Sequence, residues 1–184
     1  MGRLNLVLFI SALMLASAIP MTEPAGAAGG RAMVDFAVMS IVVGNASTPA
    51  LTWEQPDGSS EDYTIRNRQI EITVTFKQGG SGSVISPATA WVQVWHPVGT
   101  LVQEKQVNIS LTGGQDHVEK MEWTPPAAHS ILDDNGTLSG GYIVKGIIHG
   151  LVDDGNDAND ELSDEVPVAI WYDNMDRGIC FYSP

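Results

Sequence analysis

Apolar and polar residues alternate with period two over most of the chain after Met33, and no stretch of 12 residues holds a helical period. The clearest case runs from 70 to 77. Ile70, Ile72, Val74 and Phe76 fall on one face; Glu71, Thr73, Thr75 and Lys77 fall on the other. This is the pattern of a strand with one face in a core and one in water. Weaker alternations follow: Val34, Phe36 and Val38; Val92 and Val94 within 90–95; Val107, Ile109 and Leu111; Met121 and Trp123, stopped by Pro125-Pro126; Tyr142, Val144 and Ile148 within 141–149; and Val166, Val168 and Ile170. Turn-forming clusters separate them: Gly79-Gly80-Ser81-Gly82, Gly113-Gly114 and Asp133-Asp134-Asn135-Gly136. About seven short strands at such spacing predict an all-β, immunoglobulin-like antiparallel sandwich. Residues 44–66 are polar and hold Pro49, Pro56 and Gly58, which reads as a long loop between the first two strands.

The start of the chain breaks this pattern. Arg3 precedes an apolar run from Leu4 to Leu15, and Ala16-Ser17-Ala18 follows. A positive start, a short apolar core and small residues before the cut describe a secretory signal peptide over 1–18, with Ala27 as a second cleavage point. An uncleaved membrane anchor is the competing reading, and the only route to a membrane. Residues 19–31 are rich in Pro, Gly and Ala and read as a flexible lead-in. The domain plan is then a sandwich over 32–172 and a tail over 173–184. The expected location is extracellular or at the cell surface.

Charge narrows the partners. The 184 residues include 9 Lys and Arg against 22 Asp and Glu, a formal net charge of −13. Such a surface repels phosphate backbones, which excludes nucleic acid as a partner class and suits cations or basic partners. A lone Cys180 leaves no intrachain disulfide. It sits in the apolar stretch Ile179-Cys180-Phe181-Tyr182, so the tail either docks on the sandwich or joins two copies of the chain. Asn45, Asn108 and Asn135 each begin an N-x-S/T triplet and are candidate glycan acceptors.

Chemistry is thinly marked. His96, His117, His129 and His149 show no zinc spacing, and no nucleophile elbow or phosphate loop occurs. His96 and His149 read as exposed residues at strand ends. If Val92 and Val94 face the core, Trp91, Gln93 and Trp95 face outward, the two indoles about 13 Å apart along the strand. Trp91 and Trp95 are therefore candidate ligand-binding residues, a platform for sugar rings or for a surface protein. The competing reading places a Trp in the core. Asp153, Asp154, Asp157, Asp160, Glu161, Asp164 and Glu165 crowd 153–165 with no base among them. Calcium wants six to eight oxygens, and counting from Asp154 in a calcium-loop register picks Asp154, Asn156, Asp160 and Glu165 as candidate ligands. A solvated acidic loop between the last two strands is the alternative.

The order of these features resembles the cell-adhesion-related domain of bacteria and archaea, the CARDB type. The likeness runs through the strand at 70–77 with its Gly/Ser turn, the strands at 90–95 and 107–111, the Trp123-x-Pro125 ending, Gly141-Tyr142-x-Val144, and the acidic stretch from Val152-Asp153 to Ser163-Asp164. The insertion at 44–66 and the tail depart from it. The resemblance implies a non-catalytic, extracellular immunoglobulin-like sandwich used for adhesion or spacing. The expected function is a secreted binding or adhesion module; the alternatives are a structural subunit of a surface layer or filament, and a small secreted hydrolase.

Overall fold

The computed structural model describes residues 34–80, 85–132, 136–151, 154–169, 171–173 and 178–180. The signal-peptide reading of 1–18, the lead-in 19–31 and the sequon at Asn135 lie outside them. The strands are β1 (Phe36–Val43), β2 (Leu51–Glu54), β3 (Ser60–Ile65), β4 (Ile70–Gln78), β5 (Ser86–Trp95), β6 (Leu101–Leu111), β7 (Asp116–Trp123), β8 (Ile131–Leu132), β9 (Leu138–Ser139), β10 (Tyr142–Gly150), β11 (Glu161–Val166), β12 (Val168–Ala169), β13 (Trp171–Asp173) and β14 (Gly178–Cys180).

Two sheets face each other, in the orders β1-β4-β7 and β11-β10-β5-β6. Their seven strands form an immunoglobulin-like antiparallel sandwich in which the fourth of the seven, β6, sits at the edge of the larger sheet. The alternation explains the packing. On β4 the buried set is Ile70, Ile72, Val74 and Phe76; on β5 it is Ala88, Ala90, Val92 and Val94; on β10 it includes Tyr142, Val144 and Ile148. All join one core with Phe36, Val38, Met121 and Trp123. Gly146 lets β10 come close to the opposite sheet: a Cβ there would lie 2.7 Å from Val74 Cγ1 and 2.8 Å from Val38 Cγ1.

One side of the sandwich is stapled. Inward-facing side chains of β6 reach across to the free edge of β7, where Lys105 Nζ donates to the Lys120 carbonyl at 2.6 Å and Gln103 Nε2 to the Glu122 carbonyl at 2.7 Å. These bonds occupy acceptors that an edge strand would otherwise present to another chain. Lys105 also pairs with Glu119 at 2.5 Å. Burial pushes the Glu119 carboxyl up, but hydrogen bonds from Lys105 and His117 outweigh it and hold the group below its ordinary value.

Three sequence expectations change. Residues 44–66 are not a loop: they hold the hairpin β2–β3, with Leu51 opposite Tyr63 and Glu54 opposite Ser60. Pro56 and Gly58 are its turn residues, closed by Gln55 N–H to the Ser59 carbonyl, with Gly58 at φ +85°. The hairpin packs against a small satellite core of Tyr63, Leu138 and Ala169. Second, the acidic stretch is not wholly a loop, because 161–166 is β11, paired along β10. Its residues are exposed up to Val166, so an edge strand made of acids carried no apolar alternation to read. Third, Val166 and Val168 do not share a strand. After Pro167 the chain leaves the large sheet, and β12 runs parallel to β3 in a third sheet, β12-β3-β2; Ile170 lies outside the described residues. Within the expected tail, β14 pairs with β13 and sets Cys180 opposite Trp171.

Candidate binding surfaces

The outer face of the four-stranded sheet is set by the register of β5 on β10. Trp95 lies opposite Ile143, Gln93 opposite Lys145 and Trp91 opposite Ile147. With Val92 and Val94 turned into the core, these six point outward, in three bands about 6.6 Å apart along the strands: apolar, polar, apolar. Both indoles are half-buried. Each is held in place. Trp95 Nε1 donates to Gln93 Oε1 at 2.9 Å, and Gln93 Nε2 donates in turn to Glu104 Oε2 at 2.6 Å. Trp91 meets the exposed His149 edge to face, with ring centroids 5.2 Å apart. Lys145 is tied to Glu161. The face therefore offers two preset ring surfaces with an amide and an ammonium between them.

Of the four residues picked for calcium, Asp154 and Asp160 come together. Asp154 anchors the loop to β1: the Phe36 N–H donates to Oδ2 at 2.9 Å and the Asn156 N–H to Oδ1 at 3.0 Å. Asn156 is exposed. Glu165 lies near the far end of β11, opposite Ile143, while Asp160 lies beside Ile148, so the strand carries Glu165 away from the pair. Among the described residues no three His, Cys, Asp or Glu side chains converge tightly enough to hold a metal ion. Sequence counting missed Asn159. Its Nδ2 donates to Asp35 Oδ1 at 3.1 Å, while its Oδ1 and Asp160 Oδ1 are buried with no hydrogen-bond partner.

Burial, then repulsion from Asp154 and Asp157, pushes the Asp160 carboxyl up to about 6 from 3.8. The folded state thus holds this proton more tightly than the unfolded chain. The contribution to stability is full below about pH 4 and is lost as pH rises to about 6. Asp160→Asn removes the charge, so in EDTA at pH 7 the variant should melt about 3 °C above the parent and at pH 4 level with it. Solvent screening of this partly exposed group limits the gain to about 1 kcal/mol. Thermal melts at the two pH values check it.

A groove of about 350 Å³ opens where β1 and β11 run side by side. Ile41, Val42 and Val43 form one wall; Glu61, Asp62, Asp164 and Glu165 bring charge of one sign. Burial, and after it Asp164, Glu165 and Asp62, push the Glu61 carboxyl up; burial and Asp62 do the same to Asp164. The groove therefore attracts cations.

The histidines do not all behave as exposed strand ends. His149 is exposed, but His96 is half-buried against His129, with Nε2 atoms 2.7 Å apart. His117 stands 3.2 Å from Glu119. Of the sequons, Asn108 is exposed and its Oδ1 accepts from Thr89 Oγ1 at 3.2 Å. Asn45 Oδ1 closes its own turn by accepting from the Ser47 and Thr48 N–H groups at 2.8 Å each.

No family model and no curated protein matches the chain. Among solved structures it is similar to the CARDB domain of a Pyrococcus furiosus protein, crystallised in complex with di-metal ions, at 18% identity and a TM-score of 0.49, covering 77% of this chain and 99% of that one. It is also similar to the C-terminal domain of Wzt, at 13% identity and a TM-score of 0.45, with 84% of each chain covered. A β-glucosidase from Listeria innocua is similar at 14% identity and a TM-score of 0.35, over 76% of this chain but only 16% of the enzyme. The first of these similar structures bears the name of the family that the sequence resembles.

Proposed function

We propose that the chain is a secreted, non-catalytic binding module that takes a carbohydrate across the outer face of its four-stranded sheet. The observation that carries this is the band of Trp91, Gln93 and Trp95 set against Ile147, Lys145 and Ile143. Sugar rings present apolar C–H faces edged by hydroxyls. Indoles cover the first, and an amide and an ammonium between them bond the second. Secretion rests on the leader pattern over 1–18. The hydrolase alternative asks for a concavity holding a His with two carboxylates, and no His lines the acidic groove among the described residues.

Binding to immobilised polysaccharides tests the reading. Trp91→Ala and Trp95→Ala should each weaken retention about tenfold, as anchor residues at a binding face do, while Tm moves by only a few degrees. Retention that survives both substitutions removes this face from the function. Binding to a surface protein that needs both indoles, without retention on polysaccharide, makes the ligand a protein.

For the acidic loop we propose weak calcium binding by Asp154 and Asp160 with the Asn159 amide oxygen. The buried, unpartnered oxygens of Asn159 and Asp160 support it. Three side chains fall short of six to eight oxygens, so water must supply the rest and the affinity must be low. The Asp160→Asn melting series repeated in 10 mM calcium decides: the parent should gain stability and the variant should not.

A further inference from the structure

We propose that His96 and His129 form an acid-released latch between the end of β5 and the segment 124–130, which closes over the Tyr142 end of the core. Neither residue belongs to the surfaces described above. His96 directly follows β5, while His129 lies between β7 and β8 and bridges to Val168. Their Nε2 atoms are 2.7 Å apart, with the rings nearly perpendicular at 79°. Both rings meet Tyr142 edge to face, at 5.6 Å for His96 and 5.3 Å for His129, and Tyr142 in turn meets Trp123 at 5.1 Å.

The hydrogen bonds fix where the protons are. The Val98 N–H donates to His96 Nδ1 at 3.2 Å, so that nitrogen is a bare acceptor and His96 carries its proton on Nε2. His96 Nε2–H then donates to His129 Nε2, which must present a lone pair, and His129 keeps its own proton on Nδ1. The pair holds together only while both rings are neutral. A proton added to His129 Nε2 would set two N–H groups head to head; one added to His96 Nδ1 would face the Val98 N–H. A metal-ligating imidazole donates its second N–H to an acceptor. His96 meets a donor there, which is the arrangement of a hydrogen-bonded pair.

The ionisable groups that face the pair are the two rings themselves and Tyr142 of β10. Burial, then the neighbouring His96, pushes His129 below its ordinary 6.5. Burial pushes the Tyr142 hydroxyl up, so it stays neutral throughout. For a His held low in the folded state, the stabilisation is complete above about pH 6.5 and declines as pH falls below it. The ends of the segment have ties that do not titrate: Asn67 N–H to the Pro125 carbonyl at 2.8 Å, and Ser130 Oγ to the Val168 carbonyl at 3.0 Å. Acid therefore frees the middle of the segment while its ends stay attached, and uncovers the Tyr142 and Trp123 rings.

Amide exchange of residues 127–129, corrected for its intrinsic pH dependence and read in EDTA, tests the latch. This local readout separates it from the titration of Asp160. Protection in the parent should fall at least tenfold between pH 7.5 and pH 5, with β4 and β5 unchanged. His129→Gln keeps an acceptor for His96 and cannot titrate, so its protection should be level across that range. His96→Gln can turn its amide oxygen to a charged His129 and should also lose the fall. No fall in the parent, or a fall that persists in either variant, overturns the proposal.

Discussion

Trp123→Ala should cost about 4 kcal/mol, in the range of a large aromatic removed from a core. For a unit of this size that lowers Tm by roughly 12 °C. Trp123 ends β7 opposite Ile70, is 1% exposed and stacks edge to face on Tyr142. It packs in the core cluster that spans both sheets, so truncation leaves a cavity that two sheets pinned by their ladders cannot close. Trp123→Phe separates volume from polarity. It keeps a ring on Tyr142 and deletes an indole N–H that is buried without a hydrogen-bond partner among the described residues. An unpartnered buried donor is itself a cost, so the Phe variant should lose only about 1 kcal/mol. Urea melts of both variants check the ranking; equal losses would mean that the indole itself, which both variants lack, and not a ring kept on Tyr142, stabilises this end.

Gly146→Val should cost about 3 kcal/mol, the upper range for overpacking. The site faces inward from the middle of β10, and even a single Cβ would press on the methyls of Val74 and Val38. Valine methyls on two ladder-bound strands cannot turn away as a long side chain would. The expectation has an internal control. Val74→Ala alone opens a cavity and destabilises, yet in the Gly146→Val background it makes room. The double variant should be more stable than the sum of the singles predicts, by at least about 1 kcal/mol. Additive losses would show that the backbone of β10, rather than the methyl contact, carries the cost.

Sequence reading worked wherever a strand has one apolar face in the main core. Ile70, Ile72, Val74 and Phe76 announce β4, and Val92 with Val94 turns Trp91 and Trp95 outward. It failed where the core contributes little to an element. The β2–β3 hairpin buries Tyr63 and half-buries Leu51 and Trp53 against a satellite core, too few apolar positions to outweigh Pro49, Pro56 and Gly58. In β11, acids stand at positions of both parities because the edge is open to water. Counting along the chain draws Glu165 into a calcium set, but a strand rising about 3.3 Å per residue carries it away from Asp154 and Asp160. The His96–His129 contact left no local trace, since the two residues are brought together only when β5 and the segment after β7 meet across the sandwich end.

Residues 167–169 hold down parts of the molecule that come from very different stretches of the chain. The Pro167 carbonyl accepts from the Thr64 N–H and the Ala169 carbonyl from the Arg66 N–H, each at 3.0 Å, while Val168 bridges to His129. Ala169 also completes the satellite core under the first hairpin. The pairings with Thr64 and Arg66 each join positions 103 residues apart, and contacts of that separation are slow to form because the intervening loop must close first. During synthesis from the N-terminus, β2 and β3 emerge early and then wait. Their parallel partner comes after β11, when the large sheet has received its last strand. The locking of the flank is therefore a late event in folding, and a nascent chain halted before Pro167 carries a hairpin with the β3 edge still unclaimed.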